Sequence, residues 1–406
     1  MREARRARRA SRSPPHRTTP RPIRPVGPPA GPPRSPTGPV RPPAPIPTEP
    51  PASARRPGTT TPSGPRKRSS VPSDVLSPPA LTSAVVPRSD LLIPSHVVER
   101  RDATGRVAQR GVLGALDVRG TESGHVLRHQ RIAEEEVDRQ SRLLSARRDS
   151  GDGAASSPDP LLLAAPDLDT FRECIELTSA GTPDAVLPTP DAGEVLLWTC
   201  DRRWSAAPPP LGPVLLADGH HRLEAARRMG RTRPGREPER LPALVVDHRN
   251  HPLTLAATHR VVPGLDPHRA VGTARRFARV RPRPRGTYPP PPRGSFLLTG
   301  AGRTWELAGI STSLLAGRLR RFPAEWAELD AAVSDHVLIP ALCEDQGIDP
   351  TPRYTTRLPG PGEAGLVLPP PTWNQIWAGA ASGAGMPTKS TCLGPGPLPG
   401  LLDHLG

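Results

Sequence analysis

The residues whose types and spacing could do chemistry stand in one run, Asp218-Gly219-His220-His221-Arg222. It follows the apolar stretch Val214 to Ala217 and precedes Leu223, Ala225, Ala226 and Met229, which recur at helical spacing. A strand that breaks at Asp-Gly and re-enters a helix leaves unpaired backbone N–H groups at the positive end of a helix dipole. That arrangement holds phosphate or another anion. Within it Arg222 offers a planar fork for two phosphate oxygens, and Gly219 lets a ligand approach the backbone closely. His221 stands beside them, Asp218 is the candidate base or metal-binding carboxylate, and His220 is the second candidate catalytic group. The same letters also describe a solvated Asp-Gly turn followed by surface His and Arg, and the local pattern leaves both readings open.

The elements that must position this run can be read around it. Glu224 lies four residues ahead of Arg228 on the polar helix face, and Gly230 is placed to end the helix. Upstream, 109–118 and 125–129 read as a strand pair joined by RGTESG, and 134–148 as a helix with acids in its first turn and arginines in its last. Strands follow at 161–165 and 194–200, with a helix at 171–177 between them. Downstream come strands at 241–247 and 253–262, a helix at 266–280 and a Pro-rich linker at 281–294. The remainder reads as a hairpin of 295–299 and 304–310, a long helix at 329–348 weakened by Pro340, a strand at 366–368 and a helix at 372–381. Alternating strands and helices predict an α/β or α+β architecture with a mixed sheet.

Composition separates the first seventy residues from the rest. They hold 20 Pro, 16 Arg or Lys, two acids (Glu3 and Glu49) and no aromatic residue, so a disordered Pro/Arg-rich tail is expected over 1–70. That segment carries +14 of the formal +16, leaving 71–406 nearly balanced. The high basicity therefore belongs to a tail that would at most contact polyanions without specificity, not to a basic folded domain. The organisation expected is tail 1–70, a main part 71–280 with the central turn, linker 281–294 and a C-terminal part 295–406. The Arg-rich opening lacks an apolar stretch behind it and no apolar run reaches membrane-spanning length, so a cytoplasmic protein is expected. Four widely spaced cysteines form no CxxC pair, and the histidines (220, 221, 248, 251 and 259) form no HExxH, so no metal site is expected from them. GAGMPTKST near the C-terminus departs from a P-loop, with Thr388 before Lys389 and with Pro387 lacking a donor. Lys389, Ser390 and Thr391 remain candidate phosphate-binding side chains against the alternative of an ordinary polar loop. His259-Arg260 ends an apolar strand and is a candidate substrate-side or supporting pair.

Three segments, ADGHHRLEA (217–225), ATHRVVPGL (257–265) and GMPTKST (385–391), occur in the order and spacing of a bacterial family catalogued as a domain of unknown function, number ten-fifteen. PSDVLSP near residue 72, RGVLGALDV near residue 110, and the pairs His129-Gln130 and Asp138-Arg139 look similar to the same family. The central box, GHHRLEAA, also resembles the GxxRxxA phosphate-binding box of the ParB and sulfiredoxin-like superfamily, which includes free-serine kinases. That resemblance implies a phosphate-binding core, with Gly219, His220, His221 and Arg222 on nucleotide phosphates, ATP or ADP with Mg²⁺ as cofactors, and a small hydroxylated substrate such as serine. It equally implies a ParB-like regulatory module that binds nucleotide without turnover. The chain departs from the family pattern at Ser73 (an aromatic in the family), Gln130 (a glutamate) and Gly396 (a lysine). A stretch around 100–109 is also missing, which leaves open any catalytic acid that it supplies in relatives.

Overall fold

The computed structural model describes residues 86–150, 159–232, 240–284 and 289–405. The expected tail and the PSDVLSP segment lie outside these. Eight strands form the larger sheet: β1 (Leu92–Arg101), β2 (Val107–Asp117), β3 (Val126–Arg128), β4 (Leu161–Ala165), β5 (Ala185–Pro188), β6 (Glu194–Thr199), β7 (Val214–Asp218) and β8 (Arg240–Asp247). Their spatial order is β3-β7-β4-β8-β2-β1-β6-β5. The pairs β3/β7 and β4/β8 are parallel and the others antiparallel, so the sheet is mixed. Helices α1 (Glu134–Ser150), α2 (Arg172–Ser179), α3 (Arg202–Ala206) and α4 (His220–Arg231) interleave with these strands. A two-stranded ribbon joins β9 (Thr254–Ala256) to the last strand of the chain at Cys392–Gly394.

A six-stranded sheet holds β10 (His259–Val261), β11 (Arg279–Arg283), β12 (Ser295–Gly300), β13 (Arg303–Ala308), β14 (Arg353–Thr355) and β15 (Gly365–Val367). Packed with it are α5 (Pro267–Ala274), α6 (Thr312–Leu319), α7 (Asp330–Val333) and α8 (Ile339–Glu344), followed by α9 (Trp373–Ala381). Among the described residues no helix is long and apolar enough to cross a membrane.

Strand alternation explains the layering. On β4, Leu161 and Leu163 join a core with Phe171, Cys174, Leu223 and Ala226, while Leu162 and Ala164 join one with Trp326, Ile376, Trp377 and Met386. Both faces of the larger sheet are thus covered, one by α2 and α4 and the other by the C-terminal part of the chain. This is why β4, β7 and β8 read as near-continuous apolar runs and not as alternating ones. The six-stranded sheet has its own core, from Val271 and Ala274 through Phe296, Leu298 and Leu307 to Val337 and Leu342.

Several expectations are corrected. Strands β2 and β3 do not pair: β2 lies between β1 and β8, and a 3-10 turn at Gly120–Ser123 with left-handed Gly124 sends β3 to the edge beside β7. The expectation of a missing family stretch around 100–109 is left as it stood: the chain forms a hairpin there, with Arg101 opposite Val107 and Asp102 accepting from Thr104 and Arg106. The run 253–262 is two strands in different sheets, because β9 pairs with 392–394 while β10 pairs with β14 and β15. The helix expected over 266–280 stops at Ala274, and β11 runs into the Pro-rich segment as far as Arg283. Pro282 is tolerated there because β11 is an edge strand. The helix at 329–348 is observed as α7, a π-helical turn at Ser334–Leu338 and α8, the widened turn falling just before Pro340, which has no N–H to give. Helix α4 continues through Gly230 to Arg231.

Candidate functional site

The site grows from the end of β7. Gly219 adopts φ +95°, in the left-handed region that disfavours a side chain, and a Cβ there would collide with Leu161. It is the N-cap of α4 and provides no capping side chain. The first helical bond runs from Leu223 N to Gly219 O (2.9 Å), so the amides of His220, His221 and Arg222 are left without intrahelical partners. Helix α4 is fixed from behind. Arg227 is buried on Thr121 (Nε to Oγ1 2.9 Å, Nη2 to O 2.7 Å), and Glu224 receives Arg128 (2.8 Å) and Arg228 (3.1 Å). Arg228 also grips Glu134 at the start of α1.

Arg222 folds back over the turn. Its Nη2 donates to Asp218 Oδ2 at 3.0 Å and its Nη1 to the Asp159 carbonyl, so both outer nitrogens of the fork expected on phosphate are engaged within the protein. Asp218 itself is well exposed, with 65% of its side chain accessible, so its second oxygen faces solvent readily. His221 accepts from the Ala133 amide (3.1 Å). Burial, with a contribution from Lys389, holds its pKa below the usual imidazole range.

His220 is buried edge-on against His129, ring centroids 4.7 Å apart. Burial pushes the pKa of His220 well down and that of His129 to about 4, so both rings are neutral at pH 7. His129 has a defined tautomer. Its Nδ1 faces the Leu216 carbonyl at 3.0 Å, which can only accept, so Nδ1 carries the proton and Nε2 is bare. That bare nitrogen accepts the Thr391 hydroxyl at 2.8 Å, and Gln130 Nε2 donates to the same Oγ1.

The 385–391 segment is thereby brought to the turn. Met386 N donates to His129 O (2.6 Å), Arg131 N to Met386 O (2.8 Å) and Trp326 Nε1 to Gly385 O (2.9 Å). Arg131 stacks over Trp326 with its guanidinium carbon 4.7 Å from the ring centroid. Lys389 is exposed with φ +56° and its charge is felt at His221, while the Asp218 charge is felt at Cys392. Asp218, Gly219, His220, His221, Arg222, Lys389 and Thr391 therefore gather at one end of β7. Ser390 is buried and turns the other way, lining a small cavity with Thr258, Arg260, Asp330 and Met386.

His259 and Arg260 lie on that far side. Arg260 is wholly buried and paired in two-pronged fashion with Asp335 (2.7 and 2.8 Å), with a further bond to the Thr258 carbonyl and Tyr354 beneath it (5.1 Å). His259 Nδ1 accepts from Leu368 N at 3.3 Å. Among the described residues no group of three or more His, Cys, Asp or Glu is placed to hold a metal ion. Sequence reasoning named His129 and Gln130 only as a family-like pair, without a role at the turn, and did not reach Trp326 or the Asp159 carbonyl. The polar pair His129-Gln130 closing an apolar strand was the available signal; Trp326 had none.

Residues 93–332 match the model of the family described as "Protein of unknown function (DUF1015)", and the chain belongs to that family. The comparison with curated proteins gives no match. Similar solved structures include a free serine kinase in complex with AMP, at 14% identity, covering 66% of this chain and 84% of that one with a TM-score of 0.33. A conserved hypothetical protein from Pyrococcus furiosus gives 13% identity, 68% and 89% coverage and a TM-score of 0.34. SbnI with a C-terminal truncation, from Staphylococcus aureus, gives 10%, 72% and 89%, and 0.35.

Proposed function

We propose that this member of a family of unknown function binds a nucleotide, ATP or ADP, through its phosphates at the Gly219 turn, and transfers a phosphoryl group to a small hydroxylated metabolite such as serine. The observation that carries the reading is the convergence, over an uncapped helix start, of Lys389 and the Thr391 hydroxyl from a segment about 170 positions away in sequence. On this reading the phosphates take the amides of His220, His221 and Arg222 and the Lys389 ammonium, while the Arg222 guanidinium braces the turn through Asp218. Mg²⁺ suits such a place, because it keeps waters and phosphate oxygens as ligands and asks the protein for only one or two carboxylates. Asp218, exposed and with one oxygen left by Arg222, is the residue that would hold it. The neutral, buried His129 and His220 form an uncharged wall behind the phosphates.

A second reading, a ParB-like regulatory module that binds nucleotide without turnover, is favoured by Gln130, since an amide cannot take a proton from an acceptor hydroxyl. Calorimetric titration with ATP, ADP and AMP, followed by a turnover screen with serine and other small alcohols, separates the two. Binding with product formation supports the transferase. Binding without it across the screen leaves the module, and no binding of any nucleotide removes both.

A further inference from the structure

One hydroxyl at the site is set up as a nucleophile. Thr391 Oγ1 gives its proton to the bare Nε2 of His129 at 2.8 Å and accepts from Gln130 Nε2. An sp³ oxygen has two lone pairs, so one remains to attack a neighbouring electrophile. His129 is held in the accepting tautomer by Leu216 O, and Thr391 as a residue is half-buried. Lys389 and Cys392, on either side of Thr391 in sequence, are within electrostatic reach of His221 and Asp218. Geometry links Thr391 to the turn through His129, which holds its hydroxyl and lies with its ring centroid 4.7 Å from that of His220, the first residue of α4. Ser390, the adjacent hydroxyl, is buried and faces the cavity on the other side.

We propose that Thr391 is a self-phosphorylation site that takes the terminal phosphoryl group of a nucleoside triphosphate bound at the Gly219 turn. The inference rests on the nucleotide reading above but not on any small-molecule acceptor. Thr391 Oγ1 bonds to the γ-phosphorus, and the bond from that phosphorus to the β,γ-bridging oxygen breaks. The hydroxyl proton passes to His129 Nε2 and from there to an oxygen of the departing nucleoside diphosphate, which leaves with it. Burial makes His129 a weak base, but a loose phosphoryl-transfer transition state asks little of the base beyond an open lone pair in place. The product carries a dianionic group where the helix amides and Lys389 favour one, so it occupies the anion site and closes it to further nucleotide.

The test incubates the full-length chain, first treated with phosphatase, with ATP and Mg²⁺, and in parallel with ADP and Mg²⁺; intact mass and peptide mapping are read while calorimetry measures ATP binding to the unmodified chain. A gain of about 80 Da on Thr391 is expected with ATP, at a fractional rate independent of protein concentration. It should be absent from Thr391→Val, restored in Thr391→Ser and kept in Ser390→Ala. The phosphorylated chain should bind ATP at least about tenfold more weakly. If ATP binds but no phosphate appears, or it appears elsewhere, the proposal is overturned and the nucleotide site stands. If ATP does not bind, both fall.

Discussion

Arg222 reaches back one helical turn to Asp218, Nη2 to Oδ2 at 3.0 Å, and so ties the first turn of α4 to the last residue of β7. With its other outer nitrogen on the Asp159 carbonyl, the guanidinium spans three segments, and 17% of the side chain is exposed. Arg222→Ala is expected to lower stability by about 1–2 kcal/mol, the worth of a charged hydrogen bond plus a half-exposed ion pair, while nucleotide affinity per folded molecule falls less than about tenfold. Arg222→Lys, keeping charge but losing the fork, should recover less than half of the stability. Thermal melts and titrations on the same samples check this. A stable Arg222→Ala protein that has lost binding would make the guanidinium a phosphate clamp.

The two glycines of the central box make opposite forecasts. Gly219 has φ +95° and Leu161 against the place of its missing Cβ, whereas Gly230 lies inside α4 with open space around it. Gly219→Ala should therefore cost about 2 kcal/mol or more in backbone strain and collision, and abolish nucleotide binding. Gly230→Ala should stabilise the helix by up to about 1 kcal/mol and leave binding alone. Equal effects of the two substitutions in denaturant midpoint would contradict the turn geometry.

That contrast also marks what was legible in the sequence. The step from β7 through Gly219 to α4 is local: four apolar residues, an Asp-Gly break and a 3.6-residue repeat specify it, and the structure has it there. The same holds for the β12 to β13 hairpin, where Ala301 (φ +50°) and Gly302 (φ +67°) make a two-residue turn of the primed type. What could not be read was partnership. Nothing in LTLAATHRVV says that its first half pairs with 392–394 and its second half with β14 and β15. The meeting of Thr391 with His129, 262 positions apart, is made by Met386 and Gly385 bonding to His129 and Trp326, which leaves no periodic trace.

Arg260 illustrates a residue whose chemistry reads differently once its partner is known. It is fully buried on Asp335, which also accepts from the Ser334 hydroxyl at 2.8 Å. Arg260→Met alone would strand a carboxylate in the interior and should cost about 3–5 kcal/mol, whereas Arg260→Met with Asp335→Leu should lose much less. Urea denaturation of the single and double variants decides it. A double variant no better than the single one would mean that the pair is not the reason Arg260 is there.

The acid side of the stability profile follows from the histidines. Every one with a resolved shift (His96, His129, His220, His221, His248, His251, His259 and His336) moves down, and burial is the largest cause each time. A ring whose folded pKa lies below its unfolded value near 6.5 binds fewer protons folded than unfolded throughout the interval between the two. Stability then rises with pH across that interval and is lost as pH falls through it. For His129 and His248, both held at about 4, the interval runs from about 6.5 down to about 4, and each contributes at most about 3 kcal/mol. The depressed carboxylates Asp102 and Glu136, at about 2, act only at lower pH and, being exposed, act weakly. The melting temperature should thus be level from pH 8 to about 6.5 and fall steeply from there to pH 4.5, before the carboxylates titrate. The His129–Thr391 contact should hold in the folded protein until pH falls to about 4, where Nε2 takes a proton and can no longer accept the hydroxyl; nucleotide binding by the folded fraction should therefore not be weakened through this contact between pH 7.5 and pH 5. A melting profile flat between pH 7 and 5 would show that these rings are not buried neutral.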